Sequence, residues 1–216
     1  MANLSIGFLF DLDGVIIDSE TEYSKIWAQI NREFPTGIEN LEQKIKGCTL
    51  SKILSDNYDD ESTRKAVSMR LHQLENLMHY EFLPFAREFL ISLKNLGLPC
   101  ALVTSSDNDK MSHLREELPE IWEYFDFIVT GNLVKASKPS PEGYLLGADK
   151  LGVQSNRCAV FEDSLQGVKA GKNANSYVVG IAGTLPASDL APFSHIVINN
   201  LSEINLDNLI HILTQR

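Results

Sequence analysis

The stretch FLFDLDGVIID, residues 8–18, joins an apolar run to three aspartates, and its reading decides the fold. Phe8, Leu9 and Phe10 suit a buried strand. Asp11 and Asp13 come at its end, two residues apart, so in extended chain their side chains project the same way. Carboxylates at the end of a buried strand are costly unless something neutralises them. Gly14 frees the backbone to turn out of the strand. Asp18 is expected to cap the first helix of the next segment.

Outward from this stretch, short apolar runs recur. They are IGFLF (6–10), CALVT (100–104), FIVT (127–130), CAVF (158–161), YVVGI (177–181) and HIVI (195–198). Helical spacing lies between them. Phe85, Phe89, Leu90, Leu93 and Leu96 form one stripe, stopped by Gly97 and Pro99. Pro141, Tyr144, Leu145, Ala148 and Leu151 form a second, closed by Gly152, and Leu165 and Val168 with Gly167 and Gly171 a third. Short apolar strands alternating with helices predict an α/β fold, a doubly wound, Rossmann-like parallel sheet covered on both faces.

One segment breaks the alternation. Tyr23, Ile26, Trp27, Ile30 and Phe34 mark an amphipathic helix, ended by Pro35 and Gly37. Ile38, Leu41 and Ile45 suggest a second, Leu50, Ile53 and Leu54 a third, and Val67, Leu71, Leu74 and Met78 a fourth. A helical block with no strand between the first two β–α units reads as an inserted all-helical cap domain. The expected division is a core of residues 1–16 and 83–216 and a cap of residues 17–82, with hinges near Val15–Ile17 and Tyr80–Pro84.

The totals narrow the function. With 216 residues and 44% hydrophobic content, the chain can bury one sizeable core and a smaller one. A formal net charge of −10 repels phosphate backbones and anionic lipid, so neither nucleic acid nor membrane is an expected partner. The three cysteines, Cys48, Cys100 and Cys158, form no CxxC pair, which argues against a disulfide framework and for a reducing, cytoplasmic setting. Cys100 and Cys158 open apolar runs and read as small buried hydrophobes. No window has the ~18 consecutive apolar residues of a membrane span.

In open parallel sheets ligands bind beyond the carboxyl ends of the strands. Asp11 and Asp13 follow the first strand. Thr104, Ser105, Ser106, Asp107 and Asn108 follow the second, Gly131, Asn132 and then Lys138 the third, and Glu162 and Asp163 the fourth. Each group alone has an ordinary reading: turn chemistry or an N-cap for the hydroxyls, a solvated loop for Lys138, a helix N-terminus for the paired acids. Their conjunction at one sheet edge does not. Two carboxylates ~4 Å apart repel by roughly 4 kcal/mol at an effective dielectric of 20, so four in one cleft call for a cation. Hard oxygen donors suit Mg²⁺. Lys138 adds a charge for a second anion, and strand-end amides with Thr104 and Ser105 can cradle phosphate oxygens. A carboxylate can attack phosphorus, and a second one two residues on can serve as acid and base.

The order DLDGV, VTSS, SKPSP, FEDS resembles the four signature motifs of the haloacid dehalogenase superfamily, in its β-phosphoglucomutase-like branch of phosphatases and phosphomutases. The likeness spans the chain, because the helical insertion resembles that branch's cap. It implies Asp11 as nucleophile and magnesium ligand, and Asp13 as acid/base whose carbonyl also binds the metal. It implies Thr104, helped by Ser105 and Asn108, as holder of the transferring phosphoryl group. Lys138 is implied as the cation between nucleophile and phosphate, and Glu162 and Asp163 as acids around Mg²⁺. The expected function is Mg²⁺-dependent hydrolysis of a small phosphorylated metabolite, a sugar phosphate, through an aspartyl-phosphate.

The departures lie in the cap. Mutases of that branch carry histidine where this chain has Tyr23, and arginine where Leu50 aligns; Arg70 is the nearest basic residue to the later cap lysine they use. Hydrolysis is therefore favoured over a phosphomutase, since a mutase must grip a bisphosphate at both ends. A non-catalytic phosphometabolite-binding protein is the remote third reading. Substrate choice is expected to rest on Tyr23 and on the loop of Lys46, Gly47, Cys48 and Thr49. The five histidines share no metal-ligand spacing, Trp27 and Trp122 read as core, and a monomer is expected.

Overall fold

The computed structural model describes residues 6–45, 50–75 and 77–216. The chain divides into two compact units, Met1–Asp18 with Glu81–Arg216, and Ser19–Tyr80.

The first unit holds a six-stranded parallel sheet: β1 (Gly7–Phe10), β2 (Cys100–Val103), β3 (Phe127–Val129), β4 (Cys158–Glu162), β5 (Tyr177–Ile181) and β6 (Ile196–Ile198), in the order β3-β2-β1-β4-β5-β6. The chain runs from β1 outward to β3, then returns to the other side of β1 for β4. The switch point, where connections diverge and ligands bind in such sheets, is therefore the boundary of β1 and β4. Phe10 pairs with Phe161 across it, which sets Asp11 beside Glu162 and Asp163.

The β1 strand is continuous in apolar residues because it is covered on both faces. Phe8, Leu9 and Phe10 have no exposure. On one face Phe10 stacks on Phe161 with centroids 4.5 Å apart and meets Phe89 and Phe125 edge-on at 6.1 and 6.0 Å. On the other, Leu9 and Val160 pack with Ala101, Tyr144, Ala148 and Ala170.

The helical unit contains α1 (Glu20–Glu33), α2 (Leu41–Lys44), α3 (Leu50–Asn57) and α4 (Glu61–Glu75). The apolar stripes of α1 (Ile26, Trp27, Ile30) and α4 (Val67, Leu71, Leu74) are buried. The second helix is a single turn rather than the longer stripe of Ile38 to Ile45, because Asn40 enters it from the left-handed region with φ 52°. The helix cap differs too: Ser19, not Asp18, is the N-cap residue of α1, and its side chain makes no capping bond.

The remaining helices are α5 (Ala86–Asn95), α6 (Asn108–Glu117), α7 (Glu142–Lys150), α8 (Leu165–Asn173), α9 (Ala187–Leu190) and α10 (Leu206–Thr214). Gly97 and Gly152 stop α5 and α7 at positive φ, as expected. Cys100 and Cys158 are buried, and burial pushes each thiol up to about 12. Trp27 is buried, whereas Trp122 is half-buried beneath the Arg115 guanidinium. Among the described residues no helix is long and apolar enough to cross a membrane.

Candidate active site

Lys138, on the loop between β3 and α7, ties the strand ends together. Its ammonium donates to Asp11 Oδ1 at 2.5 Å, to the Val103 carbonyl at 3.2 Å and to Glu162 Oε1, which uses all three of its protons. Burial alone would depress its basicity. Asp11 and Glu162 outweigh that and hold the ammonium above its ordinary range.

Asp11 is 8% exposed. Its burial, with the charges of Glu162 and Asp13, outweighs Lys138 and raises its pKa to about 7. Glu162, with no exposure, is saturated. Oε1 accepts from Lys138 and from the Tyr144 hydroxyl at 2.8 Å, and Oε2 accepts from the Ser164 amide at 3.1 Å and its hydroxyl at 3.0 Å. Gly167 on α8 makes room for this carboxylate: a Cβ there would stand 1.7 Å from Oε1.

Asp163, also buried, accepts from the Thr184 hydroxyl on Oδ2. Burial, then the charges of Glu162 and Asp11, pushes its carboxyl well above the usual carboxylate range. Gly14 lies against it with φ 73°, and a Cβ there would fall 2.0 Å from Asp163 Oδ2. Gly14→Ala would thus meet a strained backbone, costing about 1–2 kcal/mol, and displace Asp163. A lowered melting temperature and a loss of turnover larger than that strain explains are expected by calorimetry and steady-state assay.

Asp11, Glu162 and Asp163 place carboxylate oxygens within 4.8 Å of one another. Three buried acids share one lysine, and two of them are driven toward protonation. The donor set is all hard oxygen, so the residues present fit a small divalent cation.

Asp13 sits nearer the surface. Lys110 Nζ donates to its Oδ1 and Oδ2 at 2.7 and 2.8 Å, and Ser106 Oγ donates to Oδ2 at 3.2 Å. Thr104 is buried at the end of β2, and its hydroxyl accepts the Ser106 amide at 3.0 Å. Ser105 is exposed on the same loop. A cavity of ≈ 400 Å³ is bordered by Thr104, Ser105, Lys135, Lys138 and Tyr144.

Asn108 follows Asp107 on the loop after β2. It opens α6, its backbone amide donates to Asn132 Oδ1 and its side-chain oxygen accepts from Thr130, both on the segment after β3. Tyr23 lies on α1, where its hydroxyl donates to Glu75 at 3.0 Å. Arg70 forms a forked pair with Glu33 at 2.7 and 2.9 Å. Lys46, Gly47, Cys48 and Thr49 lie outside the described residues.

Lys110, Tyr144 and Thr184 were not foreseen. Tyr144 read as an apolar member of its helix, which hid its hydroxyl. Thr184 follows β5, and the strand-end rule applied there too would have found it. Lys110 gives no local signal, since its partner is 97 residues away.

Residues 8–181, which carry the acids at the switch point of this sheet and the lysine bridging them, match the family model of the haloacid dehalogenase-like hydrolases. The chain belongs to that family. Within it the protein is a β-phosphoglucomutase-like member and a phosphoric monoester hydrolase. It is 32% identical over 174 residues to a phosphorylated carbohydrates phosphatase of Thermotoga maritima, covering 77% of this chain and 80% of the relative. It is 30% identical over 185 residues to hexitol phosphatase A of Escherichia coli, covering 81% and 82%. The solved structure of a putative beta-phosphoglucomutase from Thermotoga maritima superposes with a TM-score of 0.72 at 26% identity, over 97% of this chain and 99% of that one.

Proposed function

We propose that the protein is a Mg²⁺-dependent phosphatase of a small sugar phosphate, acting through a phosphoryl group carried on Asp11. The observation that carries this reading is the placement of Asp11 at the switch point, with Lys138 on Oδ1 and Asp163 beside it.

Asp11 and Asp163, with the backbone carbonyl of Asp13, would hold the ion. Glu162, whose oxygens are all engaged, braces Lys138 and reaches the ion only by giving up a donor. Bound there, Mg²⁺ supplies positive charge to the phosphoryl oxygens. Lys138 fixes the rotamer of Asp11 and neutralises one oxygen. Thr104 and Ser105, at the end of β2, receive the phosphoryl oxygens. In the first half-reaction a carboxylate oxygen of Asp11 bonds to phosphorus, the bond from phosphorus to the sugar oxygen breaks, and Asp13 gives that oxygen its proton. In the second, Asp13 takes a proton from water, the water oxygen bonds to phosphorus, and phosphate leaves with Asp11 restored.

Hydrolysis rather than mutase chemistry is supported by the phosphatase names of the sequence relatives, and by Arg70, whose guanidinium is engaged by Glu33. A panel of phosphate esters should show Mg²⁺-dependent phosphate release strongest on a sugar phosphate. Glucose 6-phosphate formed from β-glucose 1-phosphate and a trace of the 1,6-bisphosphate, with no free phosphate, would overturn the reading.

The metal also has a stability signature. Burial raises the Asp11 pKa from about 4, the ordinary carboxylate value, to about 7, and Asp163 shifts the same way. Between those values the folded protein holds the extra proton, so without metal its stability falls as pH rises from about 4 to about 7. An ion among the carboxylates removes that loss. The melting-temperature gain from Mg²⁺ over chelator should therefore be larger near about pH 8 than near about pH 5, and equal gains would count against these ligands.

A further inference from the structure

We propose that Lys110 is a positioning residue for Asp13, resting on the acid/base role given to Asp13 above. Its ammonium reaches both oxygens of that carboxylate, at 2.7 and 2.8 Å, while Ser106 adds a third contact. Lys110 is in the first turn of α6, where a cation is the wrong charge for the helix dipole. The helix already has its cap: the Asp107 side chain accepts the Lys110 amide at 2.9 Å. A residue that opposes its own helix yet makes a forked ion pair across 97 positions answers to the site rather than to the helix. The capped turn fixes the base of the lysine, and its side chain, 15% exposed, spans to an Asp13 that is 32% exposed. A carboxylate that open to solvent would otherwise rotate among several rotamers. The loop after β2 thus has two tasks: Thr104 and Ser105 face the phosphate, while Ser106 and Lys110 aim the group that moves the proton.

The distinguishing prediction concerns half-reactions. With p-nitrophenyl phosphate the departing phenolate needs little help from a proton, whereas release of phosphate from Asp11 still needs Asp13 as base. Lys110→Met should therefore keep a wild-type burst of p-nitrophenolate in stopped-flow and then turn over about 10–100-fold more slowly. With sugar phosphates kcat should fall by a similar factor while KM stays within about twofold. Lys110→Arg, which keeps a forked cation, should restore most of kcat, and both variants should melt within a few degrees of wild type. A Lys110→Met enzyme with wild-type kcat on sugar phosphates would overturn the proposal, as would a loss that Arg does not restore. Asp13→Asn separates the two readings. If it abolishes turnover while Lys110→Met does not change it, the role of Asp13 stands and that of Lys110 falls. If Asp13→Asn itself turns over normally, the acid/base reading falls first.

Discussion

Asp11→Asn is expected to abolish hydrolysis of every phosphate ester while leaving the fold intact. The amide oxygen of asparagine can still accept from Lys138, so the buried ammonium keeps its three partners. What is lost is the negative oxygen that bonds to phosphorus. Removal of a covalent nucleophile typically leaves only the catalysis due to binding, so turnover should fall by about 10⁴-fold or more. Stability should move the other way. Asp11 is buried among Glu162, Asp163 and Asp13, and its charge is disfavoured there, with its pKa raised to about 7. A neutral residue relieves that repulsion, so in chelator near neutral pH the variant should melt at or above wild type. The stabilisation by Mg²⁺ should shrink, because one of the proposed ligands has lost its charge. Residual turnover at a tenth of wild type would place the nucleophile elsewhere.

Lys138→Met is expected to lose both activity and stability. Methionine fills similar space but leaves Asp11 and Glu162 without their shared cation, and the Val103 carbonyl without its donor. Breaking a buried ion pair by removing one partner costs roughly 3–5 kcal/mol, most of it the penalty of the stranded charge. For a chain of this size that corresponds to a fall of roughly 10 °C in melting temperature. Because the cost lies in stranded carboxylates, it should be recovered in part by adding Asp11→Asn to the same chain, a non-additive pair of mutations. Turnover should be undetectable in either background. A Lys138→Met protein that melts like wild type would show that the three hydrogen bonds do not carry the strand ends.

Much of this was legible because the chain writes its sheet in unambiguous runs. Each of the six strands is a short apolar segment, and in β1, β2, β4 and β5 burial on both faces leaves a continuous apolar run rather than a helical period. Three helices, α6, α9 and α10, have no counterpart in the sequence reading. In α6 only Met111 and Leu114 are buried in a polar sequence, so there is little period to see. In α10 the signal is present, with Asn205 capping and Leu209 and Leu213 buried, while α9, Ala187–Leu190, is a single turn too short to show a period.

The site divides along the same line. Acids at strand ends are placed by backbone register alone: Phe10 opposite Phe161 puts Asp11 beside Glu162. Residues on loops or later turns are placed by side-chain reach, which no spacing encodes. Thus Asn108, two residues beyond Ser106, turns toward Thr130, while Lys110, two further on, reaches Asp13.

The central claim is that phosphoryl transfer passes through Asp11 in two displacements. The stereochemical course at phosphorus tests it most directly, using a substrate whose phosphoryl group is made chiral with oxygen isotopes. Two in-line displacements, first by Asp11 and then by water, predict net retention of configuration. Net inversion would mean that water attacks the substrate itself, and would contradict the account.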